Sequence, residues 1–188
     1  MVNTPIVKDG FLIRNRIIIR NCTAEDVTIL KQLCCQTFFD SWGSDFSVED
    51  MNSYMNENFT EQKIKEEIEG DLESYHLAFC DAVPVGYIKL RRNYKTPMPT
   101  NLKVVELQRV YVLDKYKGKG IGSDLIKYVL NIVTEEKFEV IWLGVWEKNS
   151  NAINLYKKFG FEVCGGYSFK LGNDSSFDLV MKKNLSKQ

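Results

Sequence analysis

Metal-binding residues are scarce in this sequence. It has one histidine, His76, and five cysteines, and no two cysteines stand in a Cys-x-x-Cys pair. Because bound metals are usually held by clusters of histidine and cysteine, we expect no metal site. A catalytic pair of cysteine and histidine stays open as an alternative, although no local motif supports it.

Long apolar runs are also missing. No stretch approaches the roughly 20 apolar residues that a membrane-spanning helix needs, and no charged-then-apolar leader is visible. We therefore expect a cytoplasmic protein with reduced thiols and no membrane partner. No internal repeat or low-complexity tract is present, and the length suits a single domain over residues 1–188.

Neither sign of charge dominates the whole chain, because 25 basic residues balance 25 acidic ones. This balance argues against a nucleic-acid-binding or disordered protein. The charges are nevertheless segregated. Residues 40–73 hold eleven acidic residues against Lys63 and Lys65, whereas residues 109–127 hold five basic residues against Asp114 and Asp124. The second segment should attract anions, while the first is either a solvated face or one wall of a cleft for a cationic substrate.

Apolar patterns and capping residues predict strands and helices that alternate through the middle of the chain. Strands are expected over residues 11–20, 75–80, 83–91, 102–113, 140–146, 161–164, 167–171 and 177–181. Helices are expected from 24 to just before 42, from 48 through 55, over 60–70, from 121 through 133 and over 152–159. This order predicts an α/β fold, a mixed central sheet with helices on both faces.

The most informative stretch is the glycine-rich turn after the strand over 102–113. Gly118, Gly120 and Gly122 let the backbone turn tightly and bring several N–H groups toward one point. A helix beginning near Ile121 would add its positive N-terminal end, and such a turn binds phosphate. The alternative is a strand-to-helix turn that has no ligand.

Three phosphate-binding turns share these features, and spacing separates them. A nucleotide P-loop ends in Gly-Lys-Ser or Gly-Lys-Thr, but Ser123 follows Gly122 directly, so that motif is excluded. The dinucleotide fingerprint needs glycine at its sixth position, which is Ser123 when counted from Gly118, so its match is weak. The third is the loop Gln/Arg-x-x-Gly-x-Gly/Ala, which Lys117-Gly-Lys-Gly-Ile-Gly122 resembles with lysine at its first position.

That third loop belongs to the GNAT superfamily of acyl-CoA-dependent N-acetyltransferases. A second stretch, Asn149-x-x-Ala-x-x-x-Tyr156-x-x-x-Gly-Phe161, is similar to the segment after the superfamily's fifth strand. The likeness extends over roughly residues 17–183 to the bacterial spermidine/spermine N-acetyltransferases, in the stretches 37–40, 49–54, 142–147 and 172–181. Tyr167 departs from that pattern, because histidine is expected at its position. The resemblance implies that this residue borders the substrate pocket, so the departure affects the identity of the substrate.

The resemblance implies a role for each matching position. Acetyl-CoA is the implied co-substrate, and no metal is implied. Tyr156 would protonate the departing thiolate, and Asn149 would contact the cofactor. Backbone groups of Val110, Tyr111 and Val112 would pair with the pantetheine arm. The pyrophosphate would be held by the loop amides of Lys117, Gly118, Lys119, Gly120, Ile121, Gly122 and Ser123.

An amine acceptor also needs a proton acceptor, because an alkylammonium has a pKa near 10.4 and is not nucleophilic until it loses its proton. Glu106, on the strand that feeds the loop, is the first candidate, and its alternative is a surface carboxylate without a role. The implied reaction is acetyl transfer to a small polyamine by direct attack on the thioester. Two other acceptors stay open, namely a protein N-terminal or lysine amine and another small amine. A non-catalytic acyl-CoA sensor also stays open as a function, and so does a homodimer as the oligomeric state.

Overall fold

The computed structural model describes residues 6–8, 11–14, 16–98, 101–171 and 174–185. These residues form nine strands and five α-helices. The strands are β1 (Ile6–Lys8), β2 (Phe11–Arg14), β3 (Ile17–Asn21), β4 (Glu73–Cys80), β5 (Val83–Arg92), β6 (Val104–Val112), β7 (Val140–Trp146), β8 (Glu162–Leu171) and β9 (Asp174–Asn184). The helices are α1 (Val27–Trp42), α2 (Val48–Asn58), α3 (Glu61–Glu69), α4 (Ile121–Glu135) and α5 (Ser150–Lys158).

Contacts divide the chain into two compact units, and β5, β6 and α4 contribute residues to both. The first unit comprises residues 1–89 and 109–128, and its strands follow the order β1, β2, β3, β4, β5. The strand predicted over 11–20 is wrong, because the chain turns at Arg16 and β2 pairs antiparallel with β3. Three polar residues, 14–16, separate two short apolar runs in the sequence. The two runs form separate strands that pair with each other.

The predicted helices of the first unit are confirmed, with their caps. Thr23 N–H donates to Asp26 Oδ2 at 2.8 Å at the start of the first helical turn. Ser47 and Thr60 cap α2 and α3 by accepting backbone N–H groups at 3.1 and 3.2 Å. One face of α1 is buried, and it consists of Val27, Leu30, Leu33, Cys34, Thr37 and Phe38.

The predicted hairpin of the first unit is also confirmed. Asp81 and Ala82, which connect β4 to β5, have φ angles of 51° and 64°. Positive φ at both central residues is typical of the two-residue turns whose twist matches that of paired strands. The apolar sequence on either side of this turn therefore forms two neighbouring strands, which include the buried Leu77, Ala78 and Ile88.

The second unit comprises residues 90–108 and 129–188, and its strands follow the order β6, β7, β9, β8. The β6–β7 pair is parallel and the other two pairs are antiparallel, so the predicted mixed α/β fold is confirmed. The strands predicted over 161–164 and 167–171 are one strand, β8. The register of β8 against β9 shifts by one residue between Val163 and Gly165, and the pairing then continues through Gly165 and Gly166. Residues 172 and 173 of the predicted last turn lie outside the described residues.

Helix α4 buries its apolar stripe along its length. The buried residues are Ile121, Leu125, Ile126, Val129 and Val133, whereas Leu130 is half-buried. No helix of the described residues is long and apolar enough to cross a membrane. In the same residues, histidine, cysteine and acidic side chains form no group of three that could hold a metal ion. The assignment of residues 1–188 to one domain stays a prediction.

Candidate active site

The glycine-rich turn adopts the conformation that its sequence predicts. Gly118 and Gly120 have φ angles of 75° and 84°, in the left-handed region that favours glycine. Helix α4 begins immediately afterwards at Ile121, and a backbone hydrogen bond of 3.0 Å joins Asp124 N–H to Gly120 O. The amides of the turn and first helical residues therefore lie at the positive end of α4, where anions bind.

The surroundings of the turn suit a diphosphate held by backbone groups. A Cβ added to Gly118 would meet nothing within 4 Å, so the space beside this residue is open. Lys117 forms an ion pair of 2.5 Å with Asp114, and both side chains are more than half exposed. Lys119 and Lys115 lie over the Tyr116 ring, 4.7 and 5.2 Å from its centroid. Lys117 is thus paired with Asp114, and the open space beside Gly118 leaves the backbone of the turn accessible to an anion.

The end of the strand that leads into the turn lies beside β5. Val110, Tyr111 and Val112 are half-buried. The β6–β7 register ends at Glu106↔Trp142 among the described residues, six residues before β6 itself ends. A Cβ on Gly86 of β5 would lie 2.7 Å from Tyr111 O, so glycine lets the two backbones approach closely there. The 110–112 stretch thus lies against β5.

Arg109, just before that stretch, is the centre of an aromatic cluster that the sequence did not reveal. Its guanidinium donates to the hydroxyl oxygens of Tyr75 at 3.3 Å and Tyr54 at 3.5 Å. It also lies 4.7 Å from the centroid of the Phe59 ring. Tyr54 belongs to α2 and Tyr75 to β4, elements far apart in the sequence. No periodicity or local motif could have brought these residues together.

Two carboxylates of the acidic segment form ion pairs inside the first unit. The buried Lys89 Nζ lies 2.9 Å from Glu67 and 3.3 Å from Glu73. Burial lowers the pKa of Lys89, and the two carboxylates offset part of that shift. Burial alone would raise the pKa of Glu67, but Lys89 and the hydrogen bond from Tyr75 outweigh it, so this pKa lies below its ordinary value. These two carboxylates therefore balance an internal cation.

Glu106 is not the exposed strand carboxylate of the alternative interpretation. It is buried with 6% exposure, and its Oε2 accepts a hydrogen bond of 2.6 Å from Arg91 Nε. The Arg91 guanidinium in turn stacks 3.2 Å from the centroid of the Tyr94 ring. A carboxylate held in this way has one oxygen fixed by a cation. Its other oxygen could take a proton, directly or through water.

Tyr156 lies on α5, within the helix predicted over 152–159, and Asn149 is the residue immediately before that helix. Tyr156 is 8% exposed and packs 5.8 Å from Phe161, centroid to centroid. Asn149 is exposed at the helix start, and its Oδ1 accepts the N–H of Ala152 at 3.0 Å. Asn149 is therefore a helix cap as well as a candidate cofactor ligand. The cap uses its amide oxygen and not its amide nitrogen. The buried ring of Tyr156 also contributes to packing.

The cysteines do not have the properties of nucleophiles. Cys22 and Cys34 are buried, and burial raises the pKa of the Cys34 thiol to about 12. Burial also raises the pKa of the exposed Cys164. A thiol is reactive as the thiolate, so these groups are neutral near pH 7 and poorly suited to covalent catalysis.

Comparison with known proteins agrees with this geometry. The profile of the acetyltransferase (GNAT) family matches residues 35–161. An uncharacterised N-acetyltransferase of Lactobacillus delbrueckii subsp. lactis is 31% identical over 150 residues, which cover 80% of this chain and 87% of that protein. The spermine/spermidine N(1)-acetyltransferase of Bacillus subtilis is 36% identical over 66 residues, 35% of this chain and 43% of that protein.

A solved structure gives the same result for the fold. The PaiA N-acetyltransferase of Thermoplasma acidophilum, crystallised in complex with coenzyme A, has a TM-score of 0.73 and 25% identity, and the match covers 89% of this chain and 98% of that one. The turn at the start of α4 is the part of this chain whose backbone suits the diphosphate of that molecule. The family match spans most of the chain and includes the turn, the end of β6 and α5. This chain therefore belongs to the GNAT family and is an acetyl-CoA-dependent N-acetyltransferase.

Proposed function

We propose that this enzyme transfers the acetyl group of acetyl-CoA to a primary amine of a small polyamine. The observation that carries the proposal is the charge of the 40–73 segment, where eight carboxylates stay exposed: Asp40, Asp45, Glu49, Glu57, Glu61, Glu66, Glu69 and Asp71. Such a surface raises the local concentration of a polycation. The partial likeness to the Bacillus subtilis polyamine enzyme supports the same acceptor class.

The glycine-rich turn would hold the pyrophosphate of acetyl-CoA through the backbone amides of residues 117–123. Gly118 and Gly120 supply the left-handed backbone that this cradle requires. The backbone of residues 110–112 would pair with the pantetheine arm as an added strand pairs with a sheet edge. Asn149 would contact the cofactor through its amide nitrogen, since its oxygen caps α5.

Glu106 would take the proton that the acceptor amine must lose. An ammonium with a pKa near 10.4 is more than three units from its nucleophilic form at pH 7, which costs roughly 4–5 kcal/mol at 1.36 kcal/mol per unit. A buried carboxylate fixed by Arg91 is a defined acceptor for that proton. The freed amine then attacks the thioester carbon directly.

Tyr156 would protonate the thiolate of CoA as the carbon–sulfur bond breaks. Its hydroxyl is the acidic group carried by the helix whose sequence matches the family pattern, and burial of its ring fixes the position of that hydroxyl. The acceptor ammonium loses two protons in all, one before the attack and one from its nitrogen as the amide forms. The thiolate takes up one proton as the carbon–sulfur bond breaks, and the other passes through Glu106 to solvent.

Two other acceptor classes remain, a protein amine and another small amine. The same cofactor machinery would serve each of them, because the residues above contact the cofactor and the reacting nitrogen only. A non-catalytic acyl-CoA sensor would lack a thiolate-protonating group, and Tyr156 argues against that alternative.

The test is incubation of the purified protein with acetyl-CoA and a panel of amines while thiol release is followed. The panel contains spermidine, spermine, a monoamine of similar length, and a peptide with a free N-terminus and a lysine. The proposal expects the highest kcat/KM for a polyamine. Preference for the peptide would replace the polyamine with a protein amine, and thiol release that no amine stimulates would contradict amine acetylation.

A further inference from the structure

We propose that Tyr167 and Asp178, both in the second unit, form a subsite for an ammonium group of the acceptor. The inference rests on the proposed function, because it takes the acceptor to be an amine with more than one charge. It assigns a role to two side chains that the reaction described above does not use.

The two side chains converge on one point of the sheet. Tyr167 on β8 pairs with Asp178 on β9, so their side chains project from the same face. A Cβ added to Gly144 of β7 would overlap the Tyr167 hydroxyl and would lie 3.7 Å from Asp178 Oδ2. The missing side chain at Gly144 thus leaves a space that both the hydroxyl and the carboxylate border.

Asp178 is a half-buried carboxylate that lacks a cation. It forms no ion pair with any residue whose side chain the structure describes, and burial alone raises its pKa. Burial, followed by Asp178 and Glu106, raises the pKa of Tyr167 to about 12, so this hydroxyl is neutral at pH 7. A desolvated carboxylate is costly unless a cation meets it, and an ammonium beside Tyr167 would supply that cation.

The neighbouring cation is engaged elsewhere. Arg91 is close enough to Tyr167 for its charge to lower the pKa of the Tyr167 hydroxyl. Its Nε, however, donates to Glu106 at 2.6 Å, and its guanidinium stacks on Tyr94. The charge of Arg91 is therefore balanced by Glu106, and the charge of Asp178 is left for a ligand.

One buried polar atom on the same face also indicates a ligand. Trp142 is 2% exposed, yet its Nε1 has no hydrogen-bond partner among the described residues. Trp142 precedes Gly144 by two residues on β7, so its indole projects from the face where the Tyr167 hydroxyl lies. Trp142 also pairs with Glu106 across the β6–β7 ladder. The reacting nitrogen of a polyamine, which has a lone pair once deprotonated, could accept from this indole N–H while a charged nitrogen of the same chain binds at Asp178.

The test compares steady-state kinetics of Asp178→Asn, Tyr167→Phe and Gly144→Ala with wild type, using spermidine and a monoamine of similar length. Asp178→Asn removes the charge, Tyr167→Phe removes only the hydroxyl, and Gly144→Ala displaces it. Glu162→Gln is the matched control, because it neutralises an exposed carboxylate on β8. Calorimetric titration with CoA checks that each variant keeps its cofactor affinity.

We expect Asp178→Asn to raise the KM for spermidine by roughly 10- to 100-fold, the range for a lost hydrogen bond to a charged group, with kcat at saturation within about threefold. Tyr167→Phe and Gly144→Ala should raise it by roughly 3- to 10-fold. The monoamine, which has no second ammonium, should be affected less, and Glu162→Gln should match wild type.

Two results would overturn the subsite, and they are distinguishable. If wild type acetylates spermidine while Asp178→Asn and Tyr167→Phe keep its KM, the subsite is wrong and the proposed function stands. If wild type acetylates no amine, both fail together. If Asp178→Asn does not fold, Tyr167→Phe tests the subsite by itself, because it removes only the hydroxyl oxygen and leaves the β8–β9 pairing unchanged.

Discussion

At the scale of the single residue, Tyr156 is a packing residue and also the proposed acid, and one substitution separates the two. Its ring is buried against Phe161, while its hydroxyl is the proposed acid. Tyr156→Phe keeps the ring, so we expect kcat to fall by roughly 10² to 10⁴, the usual range for a lost general acid, while CoA affinity and thermal stability change little. Kinetics at saturating acceptor, calorimetry and thermal unfolding measure the three quantities. An unchanged kcat would remove Tyr156 from the mechanism, and a large loss of thermal stability would make it a core residue.

Asp26 provides a second test at this scale, because its charge is used for stability alone. Hydrogen bonds of 2.7 Å from both terminal nitrogens of Arg20 hold the pKa of Asp26 below its ordinary value, although burial acts in the opposite direction. A carboxyl with a depressed folded-state pKa stabilises above its unfolded pKa, near 3.9, and loses that contribution as pH falls through the folded value.

We therefore expect Asp26→Asn to lower the free energy of unfolding at pH 7 by about 1–3 kcal/mol, the range for a hydrogen bond to a charged group. The difference from wild type should shrink steadily below about pH 4. Urea unfolding at a series of pH values measures it, with exposed Glu25→Gln as the matched control. A difference that stays constant down to pH 2 would mean that the Asp26 charge is not responsible.

At the scale of the element, we expect cofactor binding to depend on the glycine-rich turn and the first turn of α4. Gly122→Asp places a carboxylate where the pyrophosphate would lie, yet an acidic residue in the first turn of a helix favours the helix itself. We therefore expect loss of CoA binding with a largely intact fold. Calorimetric titration with CoA measures the first effect and thermal unfolding the second.

Asn131→Asp is the control for this variant, since it adds the same charge at an exposed position of the same helix. It should bind CoA as wild type does. Binding by Gly122→Asp within about threefold of wild type would contradict the loop assignment, because like-charge repulsion should exceed the 1.4 kcal/mol that a tenfold loss represents.

At the scale of the whole molecule, a neutral chain carries one strongly acidic segment. Residues 40–73 have eleven acidic residues and two lysines, a net charge of −9 before the internal pairs with Lys89 are counted. If the remaining exposed carboxylates steer a polycation, the attraction must weaken over a Debye length near 8–10 Å as salt is added.

We therefore expect the KM for spermidine and spermine to rise with ionic strength, and the KM for a monoamine to change less. Measurements of kcat/KM for the three amines at low and high salt test this expectation. A polyamine advantage that does not shrink with salt would mean that the acidic segment is a solvated face. The subsite at Asp178 would then have to account for any polyamine preference by itself.

The sequence alone determined the local features of this protein, because they depend on neighbouring residues. The capped helices, the hairpin at Asp81 and Ala82, and the glycine-rich turn before α4 each follow from residues only a few positions apart. The family likeness followed from two such local motifs, at the turn and in α5. Where local signals were ambiguous, as in the run over 11–20, strand boundaries were wrong, since only pairing with a neighbour decides where a strand breaks.

Only the tertiary structure decided which charges meet. The pairing of Glu106 with Arg91, of Lys89 with Glu67, and of Arg109 with two tyrosines joins residues from different elements, and no periodicity encodes it. The same holds for Tyr167, Gly144 and Asp178, which come from three strands. Composition gave the number of charges in the acidic segment, whereas burial decided which of them balance an internal cation and which face solvent. The reason is physical: the free energy of a charge depends on its partners and its exposure, and folding determines both.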